Sequence, residues 1–215
     1  MSAAVVRGGP GPSTSAALAI VDVMASSDHL LDQIRSMPDI HGLLRASFEF
    51  DIERKQCGDG LRLVSGEPLE PIAGDFTGGA YFLCAEKGGR RAVVFASSEG
   101  AGGLIADDLA DALEIIIGLE WQDCLGFSGS GDLEVMQTSA HHLETYLIRA
   151  NPEIAEERAR VAAALSLRVL PVPDLVIRLH AAASRTEPEY VVTEDGDVFG
   201  PPFGEYSEPR HGGWR

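Results

Sequence analysis

Two continuous apolar runs, residues 80–85 and 92–96, flank the tetrapeptide Lys87-Gly88-Gly89-Arg90. Glycine takes up positive φ at little steric cost. A Gly-Gly pair between runs rich in Tyr, Phe and Val therefore predicts a tight hairpin with its charged tip in solvent. A further short strand is expected over residues 103–106. Asp107 or Asp108 then stands where a helix cap belongs, and Leu109, Ala112, Leu113 and Ile116 recur at helical spacing up to about Gly118. Ile115 and Ile117 broaden that stripe, so this helix should lie largely buried against the sheet.

Around this centre the chain divides into strand signals first and helix signals later. Residues 26–37 carry Ser26, Ser27 and Asp28 ahead of Leu30, Leu31 and Ile34, the pattern of a short capped amphipathic helix, with Pro38 following its end. Residues 47–52 alternate, with Phe48, Phe50 and Ile52 on one face, and read as a half-buried strand. Residues 61–64 offer another short strand, and Pro68 and Pro71 mark an irregular stretch. Trp121, Leu125 and Phe127 suggest a second short helix before a break at Ser128-Gly129-Ser130-Gly131.

Asp132 opens a helix with Leu133, Met136, Ala140, Leu143 and Leu147 on one side. Asn151-Pro152 reads as a cap followed by proline at the first helical position, leading into Ile154, Val161 and Leu165. Pro171 and Pro173 interrupt, and a helix over residues 174–184 follows. Residues 189–199 alternate around Asp195-Gly196, a type I′ hairpin signal. This order predicts an α+β fold, an antiparallel sheet of about four to six strands with helices packed on it and a helix-rich C-terminal half. Residues 1–15 read as a disordered tail, 16–200 as one α+β domain and 201–215 as a flexible tail. The break at 128–131 offers a division into a sheet-rich half, 16–128, and a helical half, 129–200.

The 215-residue chain is 45% hydrophobic, enough for a real core, and its formal net charge is −16. A field of that sign repels phosphate backbones and argues against nucleic-acid binding, while it would attract a basic protein. The three cysteines, Cys57, Cys84 and Cys124, are widely spaced with no CxxC, so no zinc or redox motif is supported; Cys84, in a strand pattern, and Cys124, in a helix pattern, read as small buried hydrophobes in a reducing cytoplasm. No run approaches the ~18 apolar residues of a membrane span. Residues 16–25 are apolar apart from Asp22, which would sit inside any signal-peptide core, so they read as part of the fold and the protein as cytoplasmic.

No catalytic, cofactor or metal motif is recognisable. The loop Asp75, Thr77, Gly78, Gly79 lacks the lysine and spacing of a phosphate loop. Residues 128–131 have no basic side chain beside them and Asp132 would oppose an anion. Adjacent His141 and His142 point about 100° apart on a helix and cannot easily share a metal, so a solvated face explains them better. His180, in an apolar helix, reads as a satisfied partly buried side chain. Glu194-Asp195-Gly196-Asp197 lacks the remaining ligand positions of a calcium loop and reads as a hairpin tip.

Charge is the more suggestive pattern. From Asp107 to Glu153 the chain carries ten acids and one basic residue, Arg149. Acids sharing a face would steer a basic partner. Pro71-Ile-Ala-Gly-Asp75, then Gly78-Gly79-Ala-Tyr81-Phe-Leu, then Val93-Val-Phe95 and Glu99, then Ile105-Ala-Asp107-Asp-Leu and Leu113, resembles the central segment of the SUKH superfamily. The resemblance is confined to residues 71–118. It implies an α+β domain that acts by binding, in the manner of bacterial immunity proteins that neutralise toxins, and it carries over no catalytic residue. The expectation is therefore a non-enzymatic binding domain that covers a basic partner such as a toxin, through Asp75, Glu99, Asp107, Asp108, Asp111 and Glu114. Two alternatives remain open. One is a small hydrolase using Asp75, Glu99 or the histidines. The other is a structural subunit whose apolar helix at 109–119 packs in an oligomer.

Overall fold

The computed structural model describes residues 26–55 and 60–206. The expectations for residues 1–15, 16–25 and 207–215 and for Cys57 fall outside them. The elements in order are α1 (Ser27–Ser36), α2 (Pro38–Ser47), β1 (Arg62–Leu63), β2 (Glu70–Gly74), β3 (Ala80–Leu83), β4 (Val93–Ala96), β5 (Gly102–Ala106), α3 (Leu109–Gly118), α4 (Trp121–Gly126), α5 (Leu133–Ala150), α6 (Ile154–Leu165), α7 (Val172–Ala183), β6 (Val192–Glu194) and β7 (Asp197–Val198). The fold is α+β, and its strands divide between two antiparallel sheets. A four-stranded meander runs β2-β3-β4-β5, and a small sheet runs β1-β6-β7.

The meander forms where the apolar runs are. Tyr81 pairs with Phe95 and Phe82 with Val94, and Lys87 and Arg90 close the hairpin across Gly88 (φ 63°) and Gly89 (φ 81°). The strands are apolar without alternation because both faces are covered. Tyr81, Leu83, Val93, Phe95 and Ile105 pack into the helical core with Leu30, Leu44, Leu113 and Trp121. Phe82, Val94, Ala96 and Leu104 face the other way, against Leu63, Val192 and the partly buried Tyr190 and Phe199 of the small sheet. The helical core continues through Met136 of α5, Val161 of α6 and Leu179 of α7, so residues on both sides of the turn at 128–131 share it.

The helix starts and turns follow their local chemistry. Asp108 caps α3 by accepting from the Asp111 N–H, and Asp132 caps α5 by accepting from Glu134 and Val135. The start of α6 departs from expectation: Pro152 is not its first residue and Asn151 not its cap, because Asn151 accepts from the Glu153 N–H at 3.1 Å in a turn and the helix opens only at Ile154. Asp195 (φ 49°) and Gly196 (φ 97°) both have positive φ and turn β6 into β7.

Other expectations are extended or corrected. Pro38 follows the end of α1 as expected, but it also begins a second helix, α2, because proline's missing N–H costs nothing at the first helical position. The expected strand over 47–52 is instead the end of α2 and a turn, and only Asp51 makes an isolated bridge, to Gly74. Phe48 and Phe50 are both buried, but Glu49 between them is left-handed at φ 51°. Three apolar residues two apart therefore mimic a strand while the helix unwinds. Pro71 lies within β2, an edge strand, where a proline removes no hydrogen bond that a neighbour needs; the register shifts between Pro71 and Ala73. At the C-terminal end, Gly204 and Tyr206 accept from Ser130 and Gly129 at 2.8 Å, so part of the segment expected to fray lies along the turn at 128–131.

Candidate functional site

The expected acids do not form one free surface. Asp107, Asp108, Asp111 and Glu114 do gather around the start of α3, but each has an arginine partner. Arg185 meets Asp107 at 2.9 Å, Arg90 meets Asp108 at 3.1 Å, and Arg168 and Arg178 reach Asp111 at 3.1 and 3.4 Å. Glu114, 4% exposed, accepts from the Arg168 backbone and side chain and from Arg178, at 2.8–2.9 Å. Burial opposes its ionisation, yet those hydrogen bonds outweigh it and hold the carboxyl below its ordinary value. Asp111 goes the other way: burial and Asp108 push its carboxyl up against the pull of Arg178.

Asp75 is 1% exposed and bound within its own loop. Its Oδ1 accepts from the Thr77 N–H, the Thr77 hydroxyl and the Gly79 N–H at 2.7–2.9 Å, and its Oδ2 accepts from Gln122 at 3.1 Å. A side chain at Gly79 would collide with Phe95 and with this carboxylate, which is why the loop needs glycine there. Glu99 is exposed and lines a separate cleft of about 490 Å³ between the β4–β5 turn and the β6–β7 hairpin.

The histidines lie on different elements. His180 bonds the Gly131 carbonyl at 2.9 Å, as expected of a satisfied side chain, and His141 is exposed on α5. Cys84 and Cys124 are buried free thiols whose pKa burial pushes up to about 12, which keeps them protonated and unreactive. The apolar face of α3 is covered by α1, α6, α7 and β5 of the same chain.

A different set of carboxylates stands unpaired. A cavity of about 390 Å³ lies between the end of α2, the end of α3, the start of α4 and α5. Phe48, Ile116, Leu119, Trp121 and Leu147 give it apolar walls, and Glu49, Glu120 and Asp123 converge on it. The α2 terminus supplies Glu49: the Phe50 N–H reaches back to the Leu44 carbonyl at 3.0 Å and leaves Glu49 projecting in the left-handed region. The short connection from α3 to α4 supplies Glu120, half-buried, and the first turn of α4 supplies Asp123, exposed at the mouth.

All three carboxyls are raised above their ordinary values. For Glu49 the cause is loss of solvent, then Asp75 and Asp123; for Glu120 loss of solvent, then Asp123 and Glu49; for Asp123 loss of solvent. Among the described residues no lysine or arginine forms an ion pair with any of them. The cation that acts on Glu120, Arg158, already gives two bonds to Glu144 at 2.6 and 2.8 Å and one to the Ile117 carbonyl at 2.8 Å.

Behind Trp121 in the cavity wall lies a cluster of aromatic rings. Trp121 stands edge-on to Phe95 at 4.9 Å, and Tyr81 contacts Phe50, Phe95 and Trp121 at 5.1–5.9 Å. Burial and the Asp75 charge push the Tyr81 hydroxyl far above its ordinary value, so it stays neutral. A negative, partly desolvated cleft with an aromatic wall suits an organic cation: attraction to carboxylates strengthens as water leaves, and an indole adds cation–π attraction.

Sequence reasoning counted Glu120 and Asp123 within the acidic run without selecting them, and placed Glu49 on the wet face of a strand. The structure also shows that no helix among the described residues is long and apolar enough to cross a membrane. Comparison of the chain with protein-family models, with curated proteins and with solved structures returned no match.

Proposed function

We propose that this chain is a non-enzymatic binding domain that takes a lysine or arginine side chain of a basic protein partner into the cavity of Glu49, Glu120 and Asp123. In a reducing cytoplasm, where Cys84 and Cys124 stay thiols, it would act as an immunity protein acts, by covering a cationic surface of a toxin. The observation that supports this reading is that three raised carboxyls share one cavity in which no lysine or arginine among the described residues pairs with them. A partner's ammonium or guanidinium group supplies the missing charge. The acids at the start of α3 are secondary, because arginines of the same chain already occupy them.

The test uses Trp121 as a reporter. The chain has two tryptophans, Trp121 and Trp214, so Trp214→Phe leaves one in the cavity wall. Titration with lysine- and arginine-centred peptides should change its emission saturably. Binding should weaken with salt and disappear in the triple variant Glu49→Gln, Glu120→Gln, Asp123→Asn. Undiminished binding by the triple variant would refute this placement of the site.

A further inference from the structure

A second group of side chains comes together from the two sides of Glu49 in the chain. His41 on α2 and Asp51 and Glu53 just beyond it each offer a ligand atom, and these atoms lie within 4.8 Å of one another. The His41 Nε2 and Asp51 Oδ1 are 3.2 Å apart. In a tetrahedral zinc site with bonds of about 2.0–2.1 Å, neighbouring ligand atoms are separated by about 3.3 Å. The imidazole and the first carboxylate therefore already stand one tetrahedral edge apart. We propose that His41, Asp51 and Glu53 bind a divalent transition-metal ion, zinc fitting best, with water completing its coordination.

The frame is built in advance for two of the three ligands. Asp51 is 7% exposed, and its backbone is fixed by two 3.0 Å bonds to Gly74. The Glu53 N–H donates to its Oδ1 at 3.0 Å, which aims the carboxylate at His41. Glu53 is exposed and free to swing in.

A nitrogen ligand with two carboxylate oxygens suits zinc and selects against magnesium and calcium, which prefer oxygen alone. On binding, the His41 Nε2 lone pair goes to the metal and its proton moves to Nδ1, or to solvent when the ring starts doubly protonated. The ion would tie α2 to the segment 51–53 and so clamp Glu49 between two fixed points. This inference does not depend on the binding function proposed above.

Isothermal titration of the metal-free protein with zinc chloride should show a site that His41→Gln or Asp51→Asn weakens at least about tenfold, since even supporting residues of metal sites cost that much. Glu53→Gln should weaken it as well. Arg45→Gln should tighten it, because the Arg45 charge opposes a cation beside Asp51. The double variant His141→Gln, His142→Gln should leave it unchanged, and magnesium and calcium should give no heat. If His41→Gln does not fold, the exposed positions Glu53 and Arg45 still give opposite, readable shifts. No zinc binding, or binding that survives His41→Gln and is lost with the α5 histidines, overturns the proposal.

Discussion

Two groups of acids sit at opposite ends of α3, and they differ in wiring more than in number. At its start, Asp107, Asp108, Asp111 and Glu114 face Arg90, Arg168, Arg178 and Arg185. At its far end, Glu120 joins Glu49 and Asp123 around a cavity where no arginine or lysine among the described residues is paired to them. The first group spends its charge on holding α7 and the α6–α7 loop against α3. The second keeps its charge at a cost to the fold. An excess of acid in a sequence therefore says little about recognition until each acid's partner is known.

The sharpest way to break the comparison is at Glu114. Glu114→Ala strands two guanidinium groups around a buried gap and should cost about 3 kcal/mol in urea denaturation, the low end for a broken buried pair because Arg168 is 59% exposed. A loss below about 1 kcal/mol would mean that the arginines are satisfied without it. Glu49 tests the other side. A non-glycine residue in the left-handed region is strained, so Glu49→Gly should raise stability by about 1 kcal/mol while Glu49→Gln keeps the strain. Equal stabilities of the two variants would assign the cost to charge alone.

The pH dependence should have opposite signs at Glu114 and Glu120. Glu114, lowered from 4.5, lends stability that is present above that value and lost as pH falls through its depressed folded-state pKa. Glu120, raised from 4.5, binds protons more tightly in the folded chain, so its ionisation removes stability as pH climbs from 4.5 through its raised folded-state pKa. Glu120→Gln should flatten the second slope and leave the first, with a gain under about 1 kcal/mol at neutral pH by thermal or urea unfolding. The smallest effect is expected at the exposed pair Asp107–Arg185. Asp107→Asn should cost no more than about 0.5 kcal/mol, and a larger value would give this pair a role that its exposure does not suggest.

The parts of the fold written in short-range chemistry could be read directly. The Gly88-Gly89 and Asp195-Gly196 turns, the apolar strands and the Asp108 and Asp132 caps each depend on residues within a few positions. The α2 helix was hidden because its proline marks a start as readily as a stop. The left-handed Glu49 then gave a helix end the two-residue rhythm of a strand. The candidate site was hidden for a different reason. Whether an acid is free depends on arginines far along the chain, such as Arg168 and Arg178, which meet Glu114 across 54 and 64 positions. His41 and Asp51 are ten positions apart and meet only because α2 is helical and the chain turns back at its end.

The pairing of β1 with β6 joins Arg62 to Thr193 and Leu63 to Val192, across most of the described chain. It matters first during synthesis. A ribosome releases the meander long before it releases the hairpin that covers its second face. Until Val192 emerges, Phe82, Val94 and Leu104 form an open greasy sheet that a neighbouring nascent chain could extend or stick to. The final hairpin covers apolar surface of the meander, and chains cut before it would leave Phe82, Val94 and Leu104 less covered and should be better substrates for proteases.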